Sequence, residues 1–125
     1  MNVRRYRPDD FSQLQQWGER YHITYSEENL PTIGFIVPGV AAYFLYETKT
    51  KVVFLENMIA NSDAPKAERS EALKLIVERI LSEAKRMGYH VAYACTDIPS
   101  VIQRAVASGA TFKTKYVLLQ KDLTK

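Results

Sequence analysis

The sequence predicts a mixed α/β domain: a mainly antiparallel sheet flanked by helices. Three observations carry this expectation. Residues 33–61, "IGFIVPGVAAYFLYETKTKVVFLENMIAN", read as three apolar runs separated by two turn signals, Pro38-Gly39 and "ETKTK". From about Ser62 the period changes, and Leu73, Ile76 (with Val77), Ile80, Ala84 and Met87 recur at helical spacing. "HVAYACT" then returns to strand character, and Pro99 opens a second helical stretch.

Taken in order, "NVRRY" is the expected first strand, and "RPDD" stops it. Asp10 with Gln13 three residues later has the pattern of a capping box. The helix it opens carries Phe11, Leu14, Trp17 (or Gly18) and Tyr21 on one face. "YHITYSEENLPT" is polar and interrupted by Pro31, which fits a loop or a short helix. The three-strand meander follows, then the long amphipathic helix, for which Gly88 is the stop. "HVAYACT" reads as a buried strand, and the short helix after Pro99 presents Val101, Ile102, Ala105 and Val106 before Gly109 ends it. "TFKTKYVLLQKDL" is expected as one or two closing strands.

Composition narrows the function classes. A chain of 125 residues with 46% hydrophobic and 25% charged residues is expected as one globular domain, 1–125, and not as a disordered chain. A net charge of +3 permits anionic ligands without demanding nucleic acid. "RRYR" and "KTKY" interleave cations with aromatics, but on strands such residues form a solvated face, so nucleic-acid binding is not expected. The single cysteine, Cys95, excludes an internal disulfide and fits a reducing compartment. "MNVRRYRPDD" has no apolar stretch behind its basic residues, and the longest nearly apolar run, "VPGVAAYFLY", is half the roughly 20 residues a bilayer requires. The expected location is cytoplasmic, away from membranes. Two histidines and one cysteine give little support to a metal site.

The succession of elements resembles the GNAT superfamily of acetyl-CoA-dependent N-acetyltransferases over nearly the whole chain, and small phage-type GNAT-like proteins among them. "VRRYRPDDFSQLQQW" is similar to the family's opening strand, turn and first helix, and residues 34–61 are similar to its meander. "ALKLIVERILSEAKRMGYHVAYACT" resembles its cofactor-side helix and fifth strand, and "SVIQRAVASGATF" its last short helix. The resemblance implies that strands at 51–60 and 90–96 lie parallel and diverge at their C-terminal ends, leaving a gap for the pantetheine arm. It implies a pyrophosphate loop of pattern (Gln/Arg)-x-x-Gly-x-(Gly/Ala), which the apolar face of the helix registers at 67–72. Ala72 fits the last position, Ser70 replaces the first glycine and Ala67 the Gln/Arg, with Glu68 and Glu71 between them and Lys66 and Arg69 adding charge. The competing expectation comes from propensity. Asp63 is a good N-cap, Pro65 suits a first turn and "KAERSEAL" is rich in helix formers, so the helix would start near Ala64 and take up the loop's N–H groups.

The reaction class needs a base for the amine and N–H groups for the thioester oxygen. The resemblance places Glu56 as the base acting through water, and the backbone of Met58, Ile59 and Ala60 against the thioester, next to a bulge. A paired or solvated strand carboxylate is the plainer reading of Glu56. His22 borders the family's acceptor site, although a loop histidine needs no such role. The family's Asn and Tyr positions fall at about Ile98 and Ala105, so both groups are absent. Tyr116 reads as strand packing, Asp97 as a turn residue, and Cys95 as an inert buried thiol. Two functions stand. One is an N-acetyltransferase with acetyl-CoA and an amine acceptor as partners, a homodimer being compatible with it. The other is a GNAT fold without catalysis, used as a binding or structural module.

Overall fold

The meander expected at 33–61 forms the centre of the structure. The computed structural model describes residues 1–96, 98–111 and 119–124. Strands β1 (Arg4–Arg5), β2 (Ile33–Val37), β3 (Ala41–Tyr46), β4 (Val52–Ala60) and β5 (Val91–Ala94) form one sheet in that order. β1 to β4 pair antiparallel, and β5 lies parallel to β4. Helix α1 (Phe11–Glu19) precedes the meander, α2 (Lys66–Arg86) joins β4 to β5, and α3 (Pro99–Ala107) follows β5. The chain divides into two units, Met1–Cys95 with the whole sheet, α1 and α2, and Thr96–Lys125 with α3. Among the described residues no helix is long and apolar enough to cross a membrane.

Alternation along the strands sends side chains to two cores. On one face Phe35, Tyr43, Leu45, Val53 and Leu55 meet Ala72, Ile76, Ile80 and Ala84 of α2. On the other, Ile36, Ala42, Phe44 and Ile59 meet Leu14 and Trp17 of α1. Burying one such large side chain is worth about 1.5–3 kcal/mol. An exposed ion pair such as Arg20–Asp63, 2.7 Å apart, is worth about 0–1 kcal/mol. The two cores therefore dominate stability. Gly39 makes the β2–β3 turn at φ +81°, where an L side chain is disfavoured.

Several elements differ from expectation. β1 is two residues, held by pairing with Ile36 and Phe35, instead of the whole of "NVRRY". The capping box of Asp10 and Gln13 does not form. Asp10 is buried, and its carboxylate accepts from Arg4 Nη1 and Nη2 at 2.9 and 2.7 Å and from the Arg7 N–H at 2.8 Å. Gln13 Oε1 instead accepts from the Gly39 N–H at 3.0 Å. β5 is exposed along its length, and among the described residues it is the last strand of the sheet. The closing strands expected in "TFKTKYVLLQKDL" fall mainly on 112–118, outside the described residues, as do Asp97 and Tyr116.

Candidate active site

Strand β4 changes register in its middle. Leu55 and Glu56 oppose Leu45 and Phe44, whereas Ile59 and Ala60 oppose Ala42 and Ala41. Asn57 and Met58 therefore face one residue, Tyr43, which is a β-bulge. Asn57 takes φ +59°, a left-handed conformation that asparagine tolerates better than most residues. Its Nδ2 donates to Tyr46 Oη at 2.5 Å, tying the bulge to β3. The extra residue inverts the alternation. Val53 and Leu55 pack on the α2 side before it, and Met58 and Ala60 do so after it, while Ile59 packs on the α1 side.

The β4–β5 ladder stops at the same place. It runs from Val52↔Val91 to Leu55↔Ala94, and residues 56–60 of β4 continue without a β5 partner. The ladder thus ends one residue before Glu56. This side chain is half-buried on the α1 side, opposite Phe44. Burial pushes its carboxyl above the usual carboxylate range, and a hydrogen bond with the Cys95 side chain offsets part of that rise. Cys95 is exposed, like the residues of β5 before it, and is not the buried thiol its apolar context implied. Burial also raises Tyr43 and Tyr46, and the Glu56 charge adds to both shifts.

The segment after α1 reaches the end of β4. A Cβ on Gly18 would meet the Ile23 carbonyl oxygen at 2.8 Å, so glycine lets the chain fold back there. The Gly18 carbonyl accepts from the N–H groups of Tyr21 and Ile23, both at 2.9 Å. Tyr21 Oη then donates to the Ala60 carbonyl at 3.3 Å, and Arg20 pairs with Asp63. His22 lies in this segment, exposed, at φ +57°. Tyr21 itself is exposed and lies past the end of α1, not on its apolar face.

The loop expected at 67–72 is helix. α2 begins at Lys66, and the Arg69 N–H already bonds to the Pro65 carbonyl at 3.0 Å. Ser70, Glu71 and Ala72 therefore keep their N–H groups inside the helix, and Ala72 is fully buried in the α2 core. The physical reason is local: Pro65 suits the helix entry, no glycine interrupts 66–72, and strong formers follow. The N–H groups of Lys66, Ala67 and Glu68 remain without partners inside the helix. They lie up to about 9 Å further along the axis than Ala72 at 1.5 Å per residue. Beside them, Arg69 has a buried Nε with no hydrogen-bond partner. In the first turn, the cationic side chains of Lys66 and Arg69 and those N–H groups come together.

Sequence reasoning missed Asn57, Cys95 and the two β3 tyrosines as neighbours of Glu56. The signal for the bulge was present in "VVFLENMIA", where the helix-facing apolar residues step by two except for a step of three from Leu55 to Met58.

A mixed sheet with a bulged fourth strand, a fifth strand paired only to the first half of the fourth, and helices on both faces is the fold of the GNAT acetyltransferases. The chain matches a GNAT-family acetyltransferase from Streptococcus pneumoniae with TM-score 0.68 and 10% identity over 97% of this chain and 98% of that one. An aminoglycoside acetyltransferase from an uncultured soil metagenomic sample matches with TM-score 0.67 and 14% identity over 98% and 95%. A Mycobacterium tuberculosis protein solved in complex with CoA matches with TM-score 0.69 and 14% identity over 85% and 70%. No family model matches the sequence, and no curated relative matches it. At such identities the likeness is one of fold.

Proposed function

We propose that this chain is an N-acetyltransferase whose acyl donor is acetyl-CoA and whose acceptor is a primary amine, with Glu56 as the general base. The observation that carries this reading is a coincidence of place: the bulge, the end of the β4–β5 ladder and a half-buried carboxylate all fall at residues 55–58. When bound, the cofactor supplies an activated acyl thioester. Met58, Ile59 and Ala60 offer it the strand that β5 leaves unpaired. Lys66 and Arg69 supply positive charge at the start of α2, together with the first-turn N–H groups of Lys66, Ala67 and Glu68, where the helix dipole also favours an anion. Glu56 takes the proton of the amine, directly or through a water. A carboxyl moved upward toward working pH is a stronger base than an ordinary one. His22 stands in the segment bordering the acceptor.

A second reading, a GNAT fold used for binding without catalysis, is favoured by specific observations. α2 has absorbed the loop, Ile98 and Ala105 occupy the family's Asn and Tyr positions, and Tyr21 holds the Ala60 carbonyl. One experiment separates the readings. With a panel of primary amines, the enzyme reading expects Glu56→Gln to lower turnover by roughly 10²–10⁴ and leave acetyl-CoA affinity nearly unchanged. Acetyl-CoA that leaves the wild-type melting curve unmoved at millimolar concentration decides for the second reading.

A further inference from the structure

We infer that Tyr46 is a positioning residue: its hydroxyl joins the β4 bulge to the Glu27–Asn29 turn and so fixes, relative to Glu56, the wall an amine must pass. Its role in transfer rests on Glu56 being the base; the link itself does not. Glu27–Asn29 is a short helical turn in the segment between α1 and β2. Tyr46 Oη makes two hydrogen bonds of opposite sense. It accepts from Asn57 Nδ2 at 2.5 Å and donates to the Asn29 carbonyl at 3.4 Å. A phenol has a single proton to give, and here it goes to the turn while the oxygen holds the bulge. Burial first, and the Glu56 charge after it, oppose ionisation of the phenol, so that proton stays in place at neutral pH. Placement shows what the link does. Tyr46 opposes Phe54 in the sheet, two residues along β3 from the Phe44–Glu56 pair, and alternation puts it on the face of Phe44. Its ring packs against the α1-side core, and Glu56 is half-buried on that same side, where an amine would reach it. The segment between α1 and β2 is tied to β4 a second time, where Tyr21 Oη donates to the Ala60 carbonyl at 3.3 Å. The two ties, at Asn57 and Ala60, bracket most of the stretch that β5 leaves unpaired. Asn57 needs such a hold, since few residues adopt its left-handed backbone unaided. One hydroxyl thereby sets the wall and the bulge against each other, with Glu56 beside them.

The test is hydrogen exchange by NMR in wild type and Tyr46→Phe, which keeps the ring and removes only the hydroxyl, with folding checked by circular dichroism. Two reporters stand on either side of the link. One is the side-chain amide of Asn57. The other is the N–H groups of Asn29 and Leu30, which bond to the Ser26 and Glu27 carbonyls at 3.0 and 3.3 Å. Loss of the hydroxyl is expected to speed exchange at both reporters by about 2- to 10-fold, the worth of one hydrogen bond. A change at one reporter alone, or at neither, overturns the link and leaves the proposed function standing. In acetyl transfer, Tyr46→Phe is expected to raise the KM for the amine or lower kcat several-fold while acetyl-CoA affinity stays as in wild type. Wild-type kinetics in a variant whose reporters have both moved overturn the positioning role, and so does an equal loss of acetyl-CoA affinity, which marks a general loosening. A wild-type protein that transfers acetyl to no amine overturns the proposed function, and with it the catalytic use of the link, but not the link.

Discussion

Two carboxylates in this chain are perturbed in opposite directions, and their environments explain why. Asp10 is buried but accepts three hydrogen bonds from Arg4 and Arg7, so the Arg4 bond first, and the Arg7 N–H and nearby charges after it, hold it below the usual range. Its contribution to stability is complete above the unfolded carboxyl pKa of about 3.9 and is lost as pH falls through the lower folded value. Asp10→Asn should therefore cost about 1–3 kcal/mol at pH 7 and flatten the acid side of a urea-unfolding series taken against pH. Glu56 is raised, mainly by burial, so its sign is reversed. Its protonated form favours folding below the unfolded value of about 4.3, and that benefit disappears as pH rises through the folded value. Glu56→Gln should then be more stable than wild type at pH 7, by less than about 1 kcal/mol because the side chain is only half-buried. A melting point below that of wild type would show that the carboxylate makes a stabilising contact in its ionised form. Glu56 was legible through the family resemblance, which places a carboxylate in the strand "VVFLENM". Its neighbour Cys95 was not, because the two are 39 positions apart and meet only through the parallel register.

At the scale of elements, the bulge and the start of α2 set the geometry of the site. Asn57 holds a left-handed conformation that a β-branched residue resists, at roughly 1–2 kcal/mol. Asn57→Val should lose that much more stability than Asn57→Gly, which accepts the backbone and forfeits only the bond to Tyr46. Equal losses measured by denaturant unfolding would mean that the conformation is not what constrains the position. In α2, Ala72→Glu would bury an unpaired charge in the core and should leave little folded protein, whereas the partly exposed Ser70 should tolerate Glu. The meander and α2 were readable because their periods of two and near four run over many residues. The first turn of α2 was ambiguous: family spacing required a loop, while propensity required a helix, and propensity prevailed where no glycine opposed it. The extent of β1 was lost because two paired residues are too few for a period.

For the whole molecule, ligand binding is readable as stability. At a hundred times its dissociation constant acetyl-CoA should stabilise the folded chain by about 2.7 kcal/mol. That corresponds to a melting shift of several degrees for a domain of this size. Lys66→Glu or Arg69→Gln should reduce the shift and its dependence on salt, since both remove positive charge from the start of α2. A full shift in both variants would place the phosphates elsewhere. The bulge in β4 has a consequence for how such a chain can vary. Because the bulge absorbs one additional residue, deleting Asn57 would leave Met58 alone opposite Tyr43 in a regular ladder, with Met58 and Ala60 still toward α2 and Ile59 still toward α1. Backbone atoms, which every residue supplies, do most of the shaping. What the strand needs on either side of the bulge is the alternation of faces, which side chains of many kinds satisfy, and the likeness of fold at 10–14% identity agrees with that.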